Sequence, residues 1–569
     1  MAVQADWFLI VAILVAFIIL AVVGFYVLVK YQHPDDKNEA WFPKVVVWTG
    51  FIVAGATVLL LPLDVANNEG YPGCDGYDTR VCGGLNMTLF WNIFFWLIPA
   101  YMFILIPFST FYYEADDGML MAGTNTAAGR NAKKKSRIWD ALKWQFATLV
   151  IVVLVFFLTY YFLSDTDIPI REYQYNGTTR RLFTYETVPI YNISNTSQVL
   201  PFQSYQLEPM GRGDRIVLER NHEFEAMGSV VVQVGLGTFF AGLMAFVGWF
   251  FFALFGGVGI AAMPLDLIMN FVNRPRHMDA VEFSEAQMSI RERVNELVDI
   301  GELLKIEREQ KEMANDGGGG GGGGFLCFGG KGGGGGGGSR KERKEEKKTL
   351  LEFKKAVFML EKDVEDFKNC TANYNTYNPL IPIGSLIVGI CAFIISIFWI
   401  LHIILYVLPP GNPITPFLNN YFQWFDRWFP LFGVLSVALF TFYLLLCAVK
   451  GCFKFGLRFL FFTIHPMKLN GTYMSSFLFN TGLIMLCSLP VVQFCTTAFA
   501  SYARYATVRQ IFGTQIQYLS FFKYFWVNNV FVYALLAFAL LTALYLGCKP
   551  RDTSTDSVAL RDRLRSRRG

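Results

Sequence analysis

The sequence predicts an all-α polytopic membrane protein with nine transmembrane helices and a cytoplasmic helical hairpin after the fifth. Three observations carry this. Of 569 residues, 53% are hydrophobic and only 17% charged, whereas a soluble chain carries about a quarter charged. The apolar residues gather in blocks of about twenty or more, the length that crosses about 30 Å of hydrocarbon at about 1.5 Å per residue. Basic residues concentrate in alternate connecting segments. A soluble enzyme built on one large core is excluded, and a net charge of +4 gives no reason to expect nucleic acid.

The spans are expected at about 7–29, 44–66, 89–113, 138–163, 230–256, 380–408, 426–449, 473–500 and 524–547, the fifth running on to about Asn270. The first is not read as a signal peptide: no basic segment precedes Trp7, and no small-residue cleavage site follows. Positive charge sets the orientation. Arg130, Lys133, Lys134, Lys135 and Arg137 lie between spans three and four, and Lys450, Lys454, Arg458 and Lys468 between seven and eight. The tail 549–569 holds seven basic residues against three acidic ones, whereas 164–229 has no lysine and nine acidic residues against six arginines. Nine spans with a cytoplasmic C-terminus put the N-terminus outside or in a lumen. The sequons at Asn86, Asn176, Asn192 and Asn195 all fall on that outer side, in loops 67–88 and 164–229, and are the expected glycosylation sites. Cys74 and Cys82 share the first of these loops and fit either a small disulfide or two free thiols. Cys447, Cys452 and Cys548, near cytoplasmic span ends, read as ordinary buried cysteines before acylation sites.

Four regions follow: spans one to five (1–272), a cytoplasmic insertion (273–379), spans six to nine (380–548) and the basic tail. In the insertion, Ile290, Val294, Leu297, Gly301 and Leu304 recur at helical spacing, with Ser284 and Gln287 as a capping box. Leu350, Phe353, Val357, Leu360, Val364 and Phe367 form a second stripe. Between them, 317–338 holds seventeen glycines, which lose too much entropy on ordering to hold helix or strand. Two stripes too short to be stable alone imply an antiparallel, coiled-coil-like hairpin with a disordered tip. Helices 284–313 and 344–368 are its expected surfaces for a protein partner. Lys331 does not make a phosphate loop, which would need glycine at Phe325 and Ser or Thr at Gly332.

Catalytic signatures are missing: there is no H-E-x-x-H, no G-x-S-x-G and no metal-spaced Cys/His cluster, so neither an enzyme nor a cofactor is expected. The Arg212-Gly213-Asp214 triplet is too short to signify adhesion. Ionisable or amide groups in or beside spans cost several kcal/mol at the bilayer centre unless paired or hydrated, which makes them functional candidates. Asp64, Glu114, Asp266, His402 and Gln493 form the candidate polar membrane site. The end residues also suit simple hydration at the interface. Pro99, Pro107 and Pro490 interrupt helices, and the glycines of span five allow close helix approach, placing it centrally.

Several strings carry a family resemblance. They are Tyr31-Gln32-His33-Pro34-Asp35-Asp36, Phe42-Pro43-Lys44, Leu61-Pro62-Leu63-Asp64-Val65-Ala66-Asn67, Ile106-Pro107-Phe108 with Phe111-Tyr112-Tyr113-Glu114, and Ala262-Met263-Pro264-Leu265-Asp266-Leu267-Ile268. The chain resembles the limb-region membrane protein superfamily, in its lipocalin-interacting membrane receptor (LIMR) branch as found in plants and protists. The polyglycine run departs from that family as an insertion. The resemblance implies a multi-pass receptor or trafficking adaptor for a lipocalin-like or small-molecule ligand. The alternative is a cobalamin-like small-molecule transporter or its accessory subunit. It implies a plasma or endosomal/lysosomal membrane, and transfers no ligand motif to particular residues.

Overall fold

In the computed structural model the described residues are 7–34, 36, 41–68, 83–117, 127–173, 180–183, 206–207, 214–217, 225–272, 274, 279–316, 353, 356–358, 360–361, 363–365, 367–368, 370–371, 380–409, 413–429, 431–454, 458–459, 462–463 and 471–548. Cys74, Cys82, Asn176, Asn192, Asn195 and the polyglycine tip lie outside them.

Among the described residues nine helices are long and apolar enough to cross a membrane: Trp7–Tyr31, Trp41–Asn67, Met87–Glu114, Ile138–Leu163, Leu236–Val272, Leu380–Val407, Phe432–Lys454, Met474–Ala498 and Val530–Cys548. Three begin later than expected. The Val230–Val232 run, expected to open span five, lies in a strand, β-branched residues being well suited to an extended ribbon. β1 (Asp165–Tyr173), β2 (Arg180–Phe183), β3 (Gln206–Leu207), β4 (Asp214–Val217) and β5 (Glu225–Gln233) all fall between spans four and five. β1 pairs antiparallel with β5, Asp165 opposite Gln233, so the ribbon continues the two helices. Of the stretches expected to open spans seven and nine, 426–429 is the end of a short separate helix, Phe417–Asp426, with the turn after it, and 524–527 lies in a second short helix, Lys523–Val527.

The chain divides into two compact units, residues 1–263 with 393–544, and 264–392 with 545–569. In the first, span eight is the axis, 94% of its most apolar window being buried. Span five reaches its neighbours through glycine. A Cβ at Gly259 would fall on the Cys447 carbonyl of span seven, one at Gly257 on the Leu535 carbonyl of span nine, and one at Gly248 on the Leu486 carbonyl of span eight. Pro490 has no N–H to donate to Leu486, and the bare Gly248 backbone packs against that freed oxygen. Two other prolines are answered by side chains. Pro107 frees the Phe103 carbonyl, within the π-helical turn Tyr101–Leu105, and Gln145 of span four donates to it at 2.7 Å. Pro264 frees the Ile260 carbonyl, and Ser396 of span six donates to it at 2.8 Å.

In the second unit the helix Ala280–Asp316 pairs with the helical residues between 353 and 370. Leu297, Ile300 and Ala356 are buried, with Leu304, Phe353 and Leu360 packed around them. Arg293 meets Asp363 at 2.9 Å, and Phe283 stacks on Phe367 with ring centroids 5.2 Å apart. The pairing is antiparallel. The seam differs from the expected stripes at Val294 and Val357, which are 37% and 41% exposed. Their places are taken by Ile300 and the small Ala356.

Candidate functional site

Polar residues inside the first unit sit at two levels, near the end where span one begins (the entry end) and near the opposite end. At the entry end, Asp64 is completely buried where span two closes. Its carboxylate accepts the Trp91 indole N–H at 2.9 Å and the backbone N–H groups of Thr507 and Val508 at 3.0 and 2.7 Å. The helix after span eight begins at Thr507, so Asp64 satisfies donors that the helix itself cannot, as an anion at the positive end of its dipole. Three residues on, Asn67 both accepts from Leu85 N–H and donates to the Leu85 carbonyl, fixing the start of span three.

Asp36 does the same at the opposite end. It accepts the N–H of Met474, first residue of span eight, at 3.0 Å and the Tyr113 hydroxyl at 2.8 Å. Beside it, His33 stacks on Tyr473 and donates its backbone N–H to the Thr472 carbonyl. The strings around Asp36 and Asp64 are therefore helix-capping devices for span eight and its continuation.

His402 closes the α-helical part of span six, just before the π-helical turn Ile403–Val407. It is fully buried; Nε2 lies 2.8 Å from the Ala498 carbonyl, and Nδ1 accepts a long 3.5 Å contact from Leu418 N–H. These partners put the proton on Nε2 and occupy both nitrogens. The network runs on: Asn419 donates to the same Ala498 carbonyl and accepts Tyr502 N–H, and the Tyr502 hydroxyl donates to Asp426 at 2.6 Å. Asp426 also accepts Gly433 N–H at 2.6 Å, capping the entry to span seven. Burial, then the neighbouring carboxylate, pushes the Tyr502 phenol well above its ordinary range. A phenol that stays protonated and a histidine bonded at both nitrogens make a structural clasp between spans six, seven and eight.

Gln493 of span eight accepts the Trp249 indole at 2.9 Å. Beside it is a cavity of about 30 Å³, lined also by Thr497, Gln517, Asn529 and Trp526. The space suits a water molecule, and among the described residues the buried Trp526 indole N–H meets no hydrogen-bond partner. Nothing larger fits. Asp266 is half-buried and Glu114 exposed, so neither joins this interior set. Asn86 is exposed and caps span three by accepting Leu89 N–H. Among the described residues no three His, Cys, Asp or Glu side chains converge to hold a metal.

Asp64, His402 and Gln493 are thus all buried, Asp64 despite its place at a span end, but each serves a separate joint. Asn419, Asp426 and Tyr502 are not singled out by the sequence, and Asp36 only as one letter of a family string. Their signal was a polar letter beside aromatics at a span end, which hydration at the interface explains equally well.

A family description, LMBR1-like membrane protein, matches residues 9–317 and 339–544. The chain belongs to this family. The match breaks at the polyglycine run, which stands as an insertion in the family's sequence. A LIMR family protein from Dictyostelium discoideum is 32% identical over 555 residues, covering 96% of this chain and 98% of the relative. One from Arabidopsis thaliana is 33% identical, covering 96% and 97%, and one from Oryza sativa 32%, covering 94% and 95%. No solved structure matches. The family is an integral membrane one, and two of the polar joints above, those of Asp36 and Asp64, are built on strings that carried the resemblance.

Proposed function

We propose that this chain is a non-enzymatic membrane receptor or trafficking adaptor, holding an outer or lumenal ligand on one side and a cytoplasmic protein partner through its hairpin. The observation that carries this reading is the character of the interior polar groups. Asp36, Asp64, His402 and Gln493 are engaged by backbone or side-chain partners, and the cavity beside Gln493 holds about 30 Å³. A solute pathway needs polar groups left free to exchange partners and room for the solute. The hairpin supports the adaptor half. Its own seam is filled by Ile300 and Phe353, while Met288, Val298 and Phe358 remain 70%, 54% and 62% exposed. Exposed apolar side chains of that size on a charged helix pair suit a partner surface.

Proximity labelling from the hairpin in cells tests the reading. Val298→Glu with Phe358→Glu is expected to remove a discrete set of neighbours while the protein still reaches its membrane. An unchanged neighbour set would count decisively against the adaptor role. Solute movement by the purified chain in liposomes, with or without a pH gradient, would establish the transporter reading instead. The plasma membrane and the endosomal or lysosomal membrane both suit the proposed role.

A further inference from the structure

A larger cavity of the first unit lies elsewhere, between span one and span seven, with spans two and three as its floor. It holds about 520 Å³, within the range of small-molecule sites. Its lining is apolar throughout, from Phe8 to Leu20 on span one, Ala56 to Ala66 on span two, and Phe429 to Ala438 approaching and along span seven. Alanines 12, 16, 56 and 438 hollow it out where larger side chains would close it.

Two features set its depth. Trp7 directly precedes Phe8, and Trp428 directly precedes Phe429, lining residues of span one and of the approach to span seven; these tryptophans are 73% and 72% exposed. Exposed tryptophans at the ends of apolar helices mark the membrane interface. From Phe8 the groove follows span one to Leu20, twelve residues on, which is about 18 Å of helix. One leaflet contributes about 15 Å, half of the hydrocarbon core. The cavity therefore starts at an interface and ends near the midplane. Leu431, on its wall, is held at φ 79°, a conformation that costs a leucine about 1–2 kcal/mol. It belongs to the turn that sets Phe429 and Phe432 around the mouth.

We infer that this groove is a binding site for one acyl chain of a membrane glycerophospholipid, entering from the leaflet at the entry end. A convex helix face offers an acyl chain one side of contact, whereas a groove walled by four spans surrounds it, and the wholly apolar lining selects against any polar portion of a ligand. The site is independent of the polar joints and of the receptor reading.

The test uses the full chain in nanodiscs containing phosphatidylcholine with a photoactivatable diazirine in one acyl chain. Labelling is expected to concentrate on groove peptides of spans one, two and seven, and to fall at least fivefold there in Ala56→Phe and in Ala16→Trp. Ala147→Phe, on exposed span four, is expected to leave it unchanged. Labelling spread evenly over the exposed faces of spans one, four and six, and insensitive to groove filling, would overturn the proposal. So would groove labelling by a diazirine sterol with none by the acyl probe. If one filled variant fails to fold, the other and the wild-type peptide map still decide.

Discussion

The Asp36 carboxylate accepts the Met474 N–H at 3.0 Å, so the linker between spans one and two caps the eighth. Span eight is the axis of its unit, and its first turn has no side-chain cap of its own. Asp36→Ala should lower stability by about 1 kcal/mol for the lost cap, with a further loss for the Tyr113 hydroxyl contact it removes. Asp36→Asn keeps an acceptor for Met474 and should be milder. Thermal midpoints of the detergent-solubilised protein check the order wild type, Asn, Ala.

Asp64 is the stronger case, because it is fully buried and receives three N–H groups. Bonds to an ionised acceptor contribute about 1.5–3 kcal/mol each. Asp64→Ala should cost at least about 3 kcal/mol and sharply reduce folded yield, whereas Trp91→Phe should lose roughly one bond's worth. Equal melting of Asp64→Ala and wild type would contradict the capping role.

The tie between β1 and the segment before span nine depends on pH. Lys523 donates to Asp167 at 2.7 Å, and β1 also binds Ser520 and Tyr518 through its backbone. The Lys523 hydrogen bond holds the Asp167 carboxyl below its usual range, and Asp167 in turn raises the Lys523 ammonium. The carboxylate's contribution is complete above the ordinary Asp value and disappears as pH falls through the lowered one. The lysine's contribution is complete below the ordinary Lys value and disappears as pH rises through its raised one. The contact is therefore intact around neutrality and lost at both extremes. Being partly exposed, it adds little to global stability. Hydrogen exchange at 518–523, corrected for intrinsic rates, should quicken in Asp167→Asn at pH 7, with no change in thermal midpoint.

The hairpin register can be read by cross-linking. With Phe283 stacked on Phe367 and Arg293 against Asp363, Phe283→Cys with Phe367→Cys should join efficiently through a short bis-maleimide. Moving the second cysteine to Val364 should join poorly. Equal yields would mean that the helices slide.

Nine spans were legible because a run of apolar letters is a one-dimensional signal that the bilayer imposes. The errors came where that signal is ambiguous. Val230–Val232 is apolar but extended, 426–429 ends a short helix in a turn, and 524–527 forms a short helix of its own before span nine. In the hairpin, Leu297, Leu304, Phe353 and Leu360 lie at the seam as their spacing suggested. Ile300 does so only because Ala356 opposite is small enough to admit it. The interior polar residues could be picked out, but their partners could not. Asp64 meets the N–H groups of Thr507 and Val508, and His402 meets the Ala498 carbonyl; backbone groups carry no letter, and more than four hundred residues separate the first pair.

Glycine in span five offers the sharpest test of the packing. At Gly259 an added Cβ would overlap the Cys447 backbone carbonyl, and at Gly451 the Phe255 carbonyl, so spans five and seven cross with both backbones bare. Neither carbonyl is the movable end of a side chain, and the helices would have to separate. At Gly235, before span five begins, nothing lies within 4 Å. Overpacking a close contact costs about 1–3 kcal/mol, and more where backbone must shift. Gly259→Ala should therefore lower the thermal midpoint clearly, Gly451→Ala should do the same, and Gly235→Ala should leave it in place. The double variant Gly259→Ala with Gly451→Ala should cost less than the sum of the singles, since one separation of the two helices relieves both overlaps.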